Sequence, residues 1–344
     1  MHKNNFDFLR LLFAVFVIIS HSYPLSGLPE NDWLSQISNY QVSFSSIGLM
    51  GFFSISGYLI YQSLERSKTL RDYYWKRVLR IFPGLFVVLL LTTILGVFVY
   101  NSDWHSYIKN TSVYTYLINN LSLFNLQFGI NGIFENNPYK SAINGSLYTL
   151  AYEFTFYILL SFLFFFNGKI KKTIVLLIFV AMFIPWLFYR KELSKYGFIL
   201  TADKFMLFGL SFVVGSLLAA IKFQSISHAY KIGLLVISIL LAVISVYCGY
   251  YEKFQTILLP FIIITIGSFS WKYINTIGSS LGDISYGMYI YAFPVQQTLM
   301  HFFWLNHLQL MGFAILITVV LAWLSWHIIE KKALTLKKAT AGRK

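Results

Sequence analysis

About ten apolar runs follow one another along nearly the whole chain, each close to the length that crosses a lipid bilayer. A spanning helix needs about 20 mostly apolar residues. Such runs fall at roughly 6–25, 45–64, 81–100, 146–166, 172–189, 204–221, 231–250, 254–271, 284–303 and 309–329, the eighth being short and holding Pro260. In hydrocarbon every backbone N–H and C=O must be bonded within the protein, so a segment of this length reads as a helix. The expectation is an all-α polytopic membrane protein, about ten transmembrane helices around a polar cavity. Composition agrees: 12% of the 344 residues are charged, against about 25% in a soluble domain. Residues 1–330 read as one membrane domain and 331–344 as a basic cytoplasmic tail.

The formal net charge of +14 has a topological reading, so no nucleic-acid partner is expected. Lys and Arg collect in alternate loops, as they do on the cytoplasmic side of membrane proteins. Segment 65–80 holds Arg66, Lys68, Arg71, Lys76, Arg77 and Arg80, and segment 167–172 holds Lys169, Lys171 and Lys172, whereas segment 26–44 has neither Lys nor Arg. Both termini are therefore expected in the cytoplasm. Segment 190–204, with Arg190, Lys191, Lys195 and Lys204, is the exception. Asp7 and Arg10 interrupt the first apolar run, which argues for a retained helix rather than a cleaved signal peptide. Cys248 has no second cysteine to pair with.

Ionisable residues inside spans are costly and mark interior sites by default. Arg10 and His21 are eleven residues apart, close to three helical turns, which puts them on one face about 16 Å apart. An imidazole accepts a proton near neutral pH; the bland alternative is a histidine bonded at a helix contact. In the fourth run Ser146, Thr149, Glu153 and Tyr157 share a face. There the alternative to a chemical role is a Glu bonded to a neighbouring Tyr or Ser. Arg77 and Arg80 sit one turn apart at a membrane entrance, suited to phosphate recognition or simply to anchoring against anionic lipid. Gly51, Ser54, Ser56 and Gly57 read as a close-packing helix face. Ser285, Tyr289 and Gln296 share a face, and Pro294 should free a backbone carbonyl. No metal-ligand spacing, phosphate-binding loop or nucleophile elbow is present.

These segments resemble, in order, the motifs of the integral-membrane acyltransferase family 3, bacterial enzymes that O-acylate cell-surface polysaccharides. FDFLRLLFAVFVIISHSYPL is similar to the family's opening Arg-then-His helix, and FFSISGYLI to its second element. KRVLRIFPGLF, NGSLYTLAYEF, ISYGMYIYAFPVQQ and SWHIIEKKAL resemble the later ones. Tyr148 stands where many relatives have Trp, and Lys332 where Pro is common.

The resemblance implies His21 as catalytic base, with Arg10 and Glu153 as further catalytic-pocket residues. It places Arg77 and Arg80 on the acyl donor, expected to be acetyl-CoA bound as a substrate, with no permanently held cofactor and no metal. Asn144, Ser146, Tyr148 and Tyr289 are the expected substrate-binding residues. The acceptor would be a polysaccharide or lipid-linked oligosaccharide, and the setting the bacterial inner membrane, among its lipids. A transporter of a lipid-linked sugar or small anion is the other class that fits this composition, although no repeat of broken helices points to one.

Overall fold

The chain is described by a computed structural model over residues 4–193, 195–196 and 200–337. The helices are α1 (Phe6–Leu25), α2 (Trp33–Ile37), α3 (Phe44–Arg66), α4 (Leu70–Val99), α5 (Trp104–Lys109), α6 (Thr111–Leu121), α7 (Tyr148–Ser161) and α8 (Gly168–Leu193). They continue with α9 (Ala202–Ala220), α10 (His228–Tyr247), α11 (Tyr251–Ser268), α12 (Ile277–Leu281), α13 (Ser285–Phe303), α14 (His307–Ser325) and α15 (Lys331–Thr335). The all-helical expectation holds, and every expected span coincides with a helix.

Among the described residues, 8 helices are long and apolar enough to cross a membrane by length and composition. α11 and α13 have 18 and 19 residues but fall outside that set. Each carries polar residues that the protein itself buries: Gln255, Thr256 and Thr265 in α11, and Ser285, Gln296 and Gln297 in α13. The third expected span, α4, also differs from expectation. It begins at Leu70, so Arg77 and Arg80 stand on a helix and not in a loop. Hydropathy marks where a helix enters lipid; it does not mark where the helix begins, and Leu, Lys and Arg are good helix formers.

The chain divides into two compact units. The first comprises 1–13, 33–73 and 152–277. At its centre α3 and α9 approach closely because each offers the other a glycine. A Cβ on Gly57 would lie 1.9 Å from the Phe212 carbonyl oxygen, and one on Gly215 2.1 Å from that of Ser54. The Ser216 hydroxyl donates to Gly57 O at 3.1 Å across the same contact. α11 packs on both helices, α8 on α9 and α10 on α11. Aromatic rings fill the remaining space, with Phe53 stacked on Phe208 at 4.5 Å. The outward face of α10, including Val236, Ile237, Leu240 and Ile244, is exposed apolar surface of the kind a bilayer covers.

The second unit comprises 14–32, 74–151 and 278–344, and residues 338–344 of the expected tail lie outside the described residues. Its core element is α13, most of which is buried, packed against α14 through Gly287 and Ala322. Gly282 turns the chain into α13 with φ +86°, and the Trp326 ring occupies the place a side chain would need. The long segment 101–145 is built rather than loose. Asn120 donates to Tyr116 O and Gln127 O, and Gln127 donates to Ser112 O and Gly129 O. Asn137 Nδ2 bonds Gln297 of α13.

α14 does not stop at Ser325. It passes through a π-helical stretch, Trp326–Glu330, into α15. Lys331–Thr335 is therefore helical.

Candidate active site

One face of α13 organises the second unit. Pro294 has no N–H, so the carbonyl four residues earlier, that of Ile290, loses its helical partner. Asn144 takes its place, donating Nδ2–H to Ile290 O at 2.9 Å while its Oδ1 accepts from Ser146 N at 3.1 Å. This clamp fixes the single 3-10 turn Gly145–Leu147 against α13. Tyr289 OH donates to Ser146 O at 3.0 Å and contacts Thr149 Oγ1 at 2.7 Å. One turn along the same face, Phe293 lies against Gly145, where a Cβ would come within 2.8 Å of its ring. The His21 imidazole meets that ring edge to face, at 5.7 Å between centroids and 80° between planes. One turn further, Gln296 Nε2 donates to Ser22 Oγ at 2.8 Å and Ile18 O at 3.1 Å.

Four sequence-selected residues thus meet on one helix face. Asn144 and Tyr289 use their polar atoms to hold the turn in place. Ser146 Oγ and His21 Nδ1 are buried and have no hydrogen-bond partner among the described residues. A neutral imidazole has one donor and one acceptor nitrogen. His21 as a residue keeps some exposed surface, and its ring is held by packing on Phe293. Tyr148, half-buried, follows directly on the clamped turn.

At the start of α13 stands a cationic cluster. Arg80 pairs with Asp283 at 2.8 Å and its guanidinium lies over the Tyr286 ring at 5.6 Å. Tyr286 OH donates to Ile81 O at 2.8 Å, which locks the ring beside α4. Arg77 is buried one turn earlier. Lys337 joins this group: burial, then the charges of Arg80 and Arg77, lower its ammonium to about 8. Glu330, 2% exposed, accepts from Ser325 Oγ at 2.9 Å and lies near the Gly84 position of α4. From Tyr286 to Phe293 is seven residues, about 10 Å of helix rise. One helix therefore carries the cations at its start and the imidazole contact at its middle.

Sequence reasoning passed over Asp283, Glu330 and Lys337, and also Asp32, which is buried and accepts from Ser20 Oγ. The available signal was the scarcity of acids: 13 Asp and Glu in 344 residues.

The other two selected residues belong to the first unit. Glu153 Oε1 accepts from Tyr157 OH and, at 3.1 Å, from Ser56 Oγ. Ser56 and Tyr157 also contact each other at 3.1 Å. This is the bonded arrangement foreseen as the bland alternative. The expected stripe Ser146–Thr149–Glu153–Tyr157 is thus shared out: its first two members bond around Tyr289, its last two with Ser56. Arg10 is half-buried on α1, one turn before Phe13, whose ring fills the space above Gly51. No group of three or more His, Cys, Asp or Glu residues suited to a metal occurs among the described residues.

A histidine packed at mid-helix, a clamped turn, and cations at the start of the same helix fit transfer of a group from an anionic donor. Residues 3–329 match the model of a family described as an acyltransferase domain. The chain belongs to this acyltransferase family and is a multi-pass membrane enzyme. It is 31% identical over 345 residues to an O-acetyl transferase of Shigella phage Sf6, covering 97% of each chain. It is also 28% identical over 362 residues to nodulation protein 10 of Rhizobium leguminosarum bv. viciae, covering 100% of this chain and 96% of that one. No solved structure matches the chain.

Proposed function

We propose that this enzyme transfers an acetyl group from cytoplasmic acetyl-CoA to a hydroxyl of a cell-surface or lipid-linked polysaccharide. The setting is the bacterial inner membrane, with about ten spans and both termini in the cytoplasm. The observation that carries this reading is the α13 face, which joins the Arg80 cluster to the His21 ring within one unit. The phosphates of CoA dock on Arg77 and Arg80 through charge-assisted hydrogen bonds, and the pantetheine arm runs along α13. His21 takes the proton of the acceptor hydroxyl. The hydroxyl oxygen then bonds the acyl carbon, the C–S bond breaks, and the proton passes to the CoA thiolate, which leaves as the free thiol.

Ser146 and Tyr148 contact the acceptor, and Asn144 and Tyr289 hold their turn in position. Arg10 is assigned to the reaction by its spacing from His21 on α1. Glu153, held by Ser56 and Tyr157, is assigned to the acceptor side. The phage relative's name supports acetyl as the group and oxygen as the acceptor atom. Family membership favours acyl transfer over the transport reading.

The test uses full-length protein in lipid nanodiscs, labelled acetyl-CoA and a polysaccharide acceptor. His21→Ala should lower kcat by about 10²–10⁴-fold, the usual worth of a general base, with the same thermal melting profile. Arg80→Gln should raise the donor KM, and Glu153→Gln the acceptor KM. Wild-type turnover by His21→Ala in well-folded protein would remove the imidazole from the chemistry.

A further inference from the structure

A large cleft in the first unit has no part in the reaction just described. Its volume is about 1090 Å³, at the upper end of the range for small-molecule sites. It forms where the end of α3, the start of α8, the end of α9 and the start of α10 converge. Five cations line it: Arg66, Lys169, Lys172, Lys222 and Lys231. The acid on its wall, Glu65, is bonded to Lys171 at 2.9 Å, so the cleft keeps a strong positive excess.

Three further observations point to an anion there. Lys231 is 2% exposed, and its ammonium bonds Gln224 O at 3.0 Å above the Phe223 ring. An ammonium has three donors, so this buried charge retains capacity to bind. Lys222 is held left-handed at φ 57°, a conformation uncommon for a side-chain-bearing residue, at the turn that brings it to the cleft. α8 and α10 both begin at the rim, with Gly168 and His228 among the lining residues. The first N–H groups of α10 have no side-chain cap, and a helix start carries partial positive charge.

We propose that this cleft is a binding site for a diphosphate or bisphosphate ester, separate from the Arg77–Arg80 cluster. One phosphodiester would leave most of the positive charge unanswered, whereas a ligand with several phosphate charges matches it. Two sources share this chemistry: a soluble nucleotide bisphosphate, such as that of a CoA ester, and a membrane-borne polyprenyl diphosphate.

Full-length protein in phosphatidylcholine nanodiscs should bind inorganic pyrophosphate saturably, and more weakly as salt screens the lysines. The combined Lys169→Gln, Lys172→Gln and Lys222→Gln variant should bind it about tenfold or more weakly. These side chains are exposed, so melting should be unchanged; in an Arg77→Gln, Arg80→Gln background, which removes the proposed donor-phosphate site, saturable pyrophosphate binding should remain. Displacement by adenosine 3′,5′-bisphosphate assigns the soluble source, and displacement by farnesyl diphosphate added to the discs assigns the membrane one. A flat pyrophosphate titration, or equal affinity in the triple variant, would overturn the site. The readout is binding, so it stands or falls apart from the His21 test.

Discussion

The imidazole of His21 and the ring of Phe293 meet edge to face, 5.7 Å apart, which packs the imidazole on α13. Phe293 is itself held by Gly145 and by Tyr139, whose ring lies 5.8 Å away. The orientation of the proposed base is thus a packing property, set through a neighbour.

Phe293→Leu should therefore lower kcat while leaving the donor KM unchanged. Gly145→Ala should act in the same direction, because the new methyl would come within 2.8 Å of the Phe293 ring. Residues that share a contact do not combine additively, so the double variant should be less impaired than the two losses multiplied. Steady-state kinetics on the four proteins of this cycle decide the matter; fully multiplicative losses would mean that Gly145 does not act through Phe293.

Lys337 gives the enzyme a pH signature. Its ammonium, lowered to about 8 by burial and by Arg80 and Arg77, is charged below that pH and neutral above it. If it contributes to binding the donor phosphates, the donor KM rises as pH climbs through about 8. Lys337→Arg should abolish this rise, since a guanidinium keeps its charge. Lys337→Gln should show the high KM throughout. A wild-type donor KM that is flat across this range would separate Lys337 from donor binding.

The α3–α9 contact should be intolerant of volume. Gly57→Val would drive a side chain into the Phe212 carbonyl, and backbone cannot swing aside as a flexible side chain can. Overpacking costs about 1–3 kcal/mol or more, read as a lower melting temperature in detergent. Gly233→Ala on α10, where nothing lies within 4 Å, is the control. It should melt at or above the wild-type temperature, because Ala is the better helix former by up to about 1 kcal/mol.

Hydropathy alone located the long helices, because a run long enough to span must bond its own backbone; the short helices α2, α5, α6, α12 and α15 lay outside the expected runs. It missed the early start of α4 at Leu70, since Arg71, Asp72, Lys76, Arg77 and Arg80 are interleaved among the apolar residues of the added turns and lower their hydropathy. The small-residue reading of Gly57 was also legible: a glycine in a span has few uses beyond close approach. The freed carbonyl before Pro294 could be foretold from proline chemistry, but not that Asn144 would capture it, because that pairing joins residues 146 positions apart. Asp283 was hidden for a similar reason. Beside a sequence of Gly and Ile it looks like a turn residue, and only the fold brings it to Arg80. Glu153 showed the reverse case. Its local spacing from Tyr157 was enough to foresee their bond, and Ser56 alone had to come from elsewhere in the chain.

The π-helical stretch Trp326–Glu330 has a consequence for how the C-terminal end is read. In an α-helix each residue advances the chain by about 100°, so residues five apart diverge by about 140°. Here Ser325 nonetheless bonds Glu330, five positions on, because the wider turn closes i to i+5. The stretch thus works as a one-residue phase shift. Rewinding 326–330 as ordinary α-helix with every residue kept would swing the carboxylate off its serine and turn every later side chain, Lys337 among them, by about 100°, whereas removing one residue at the same time would keep them all at their present compass points.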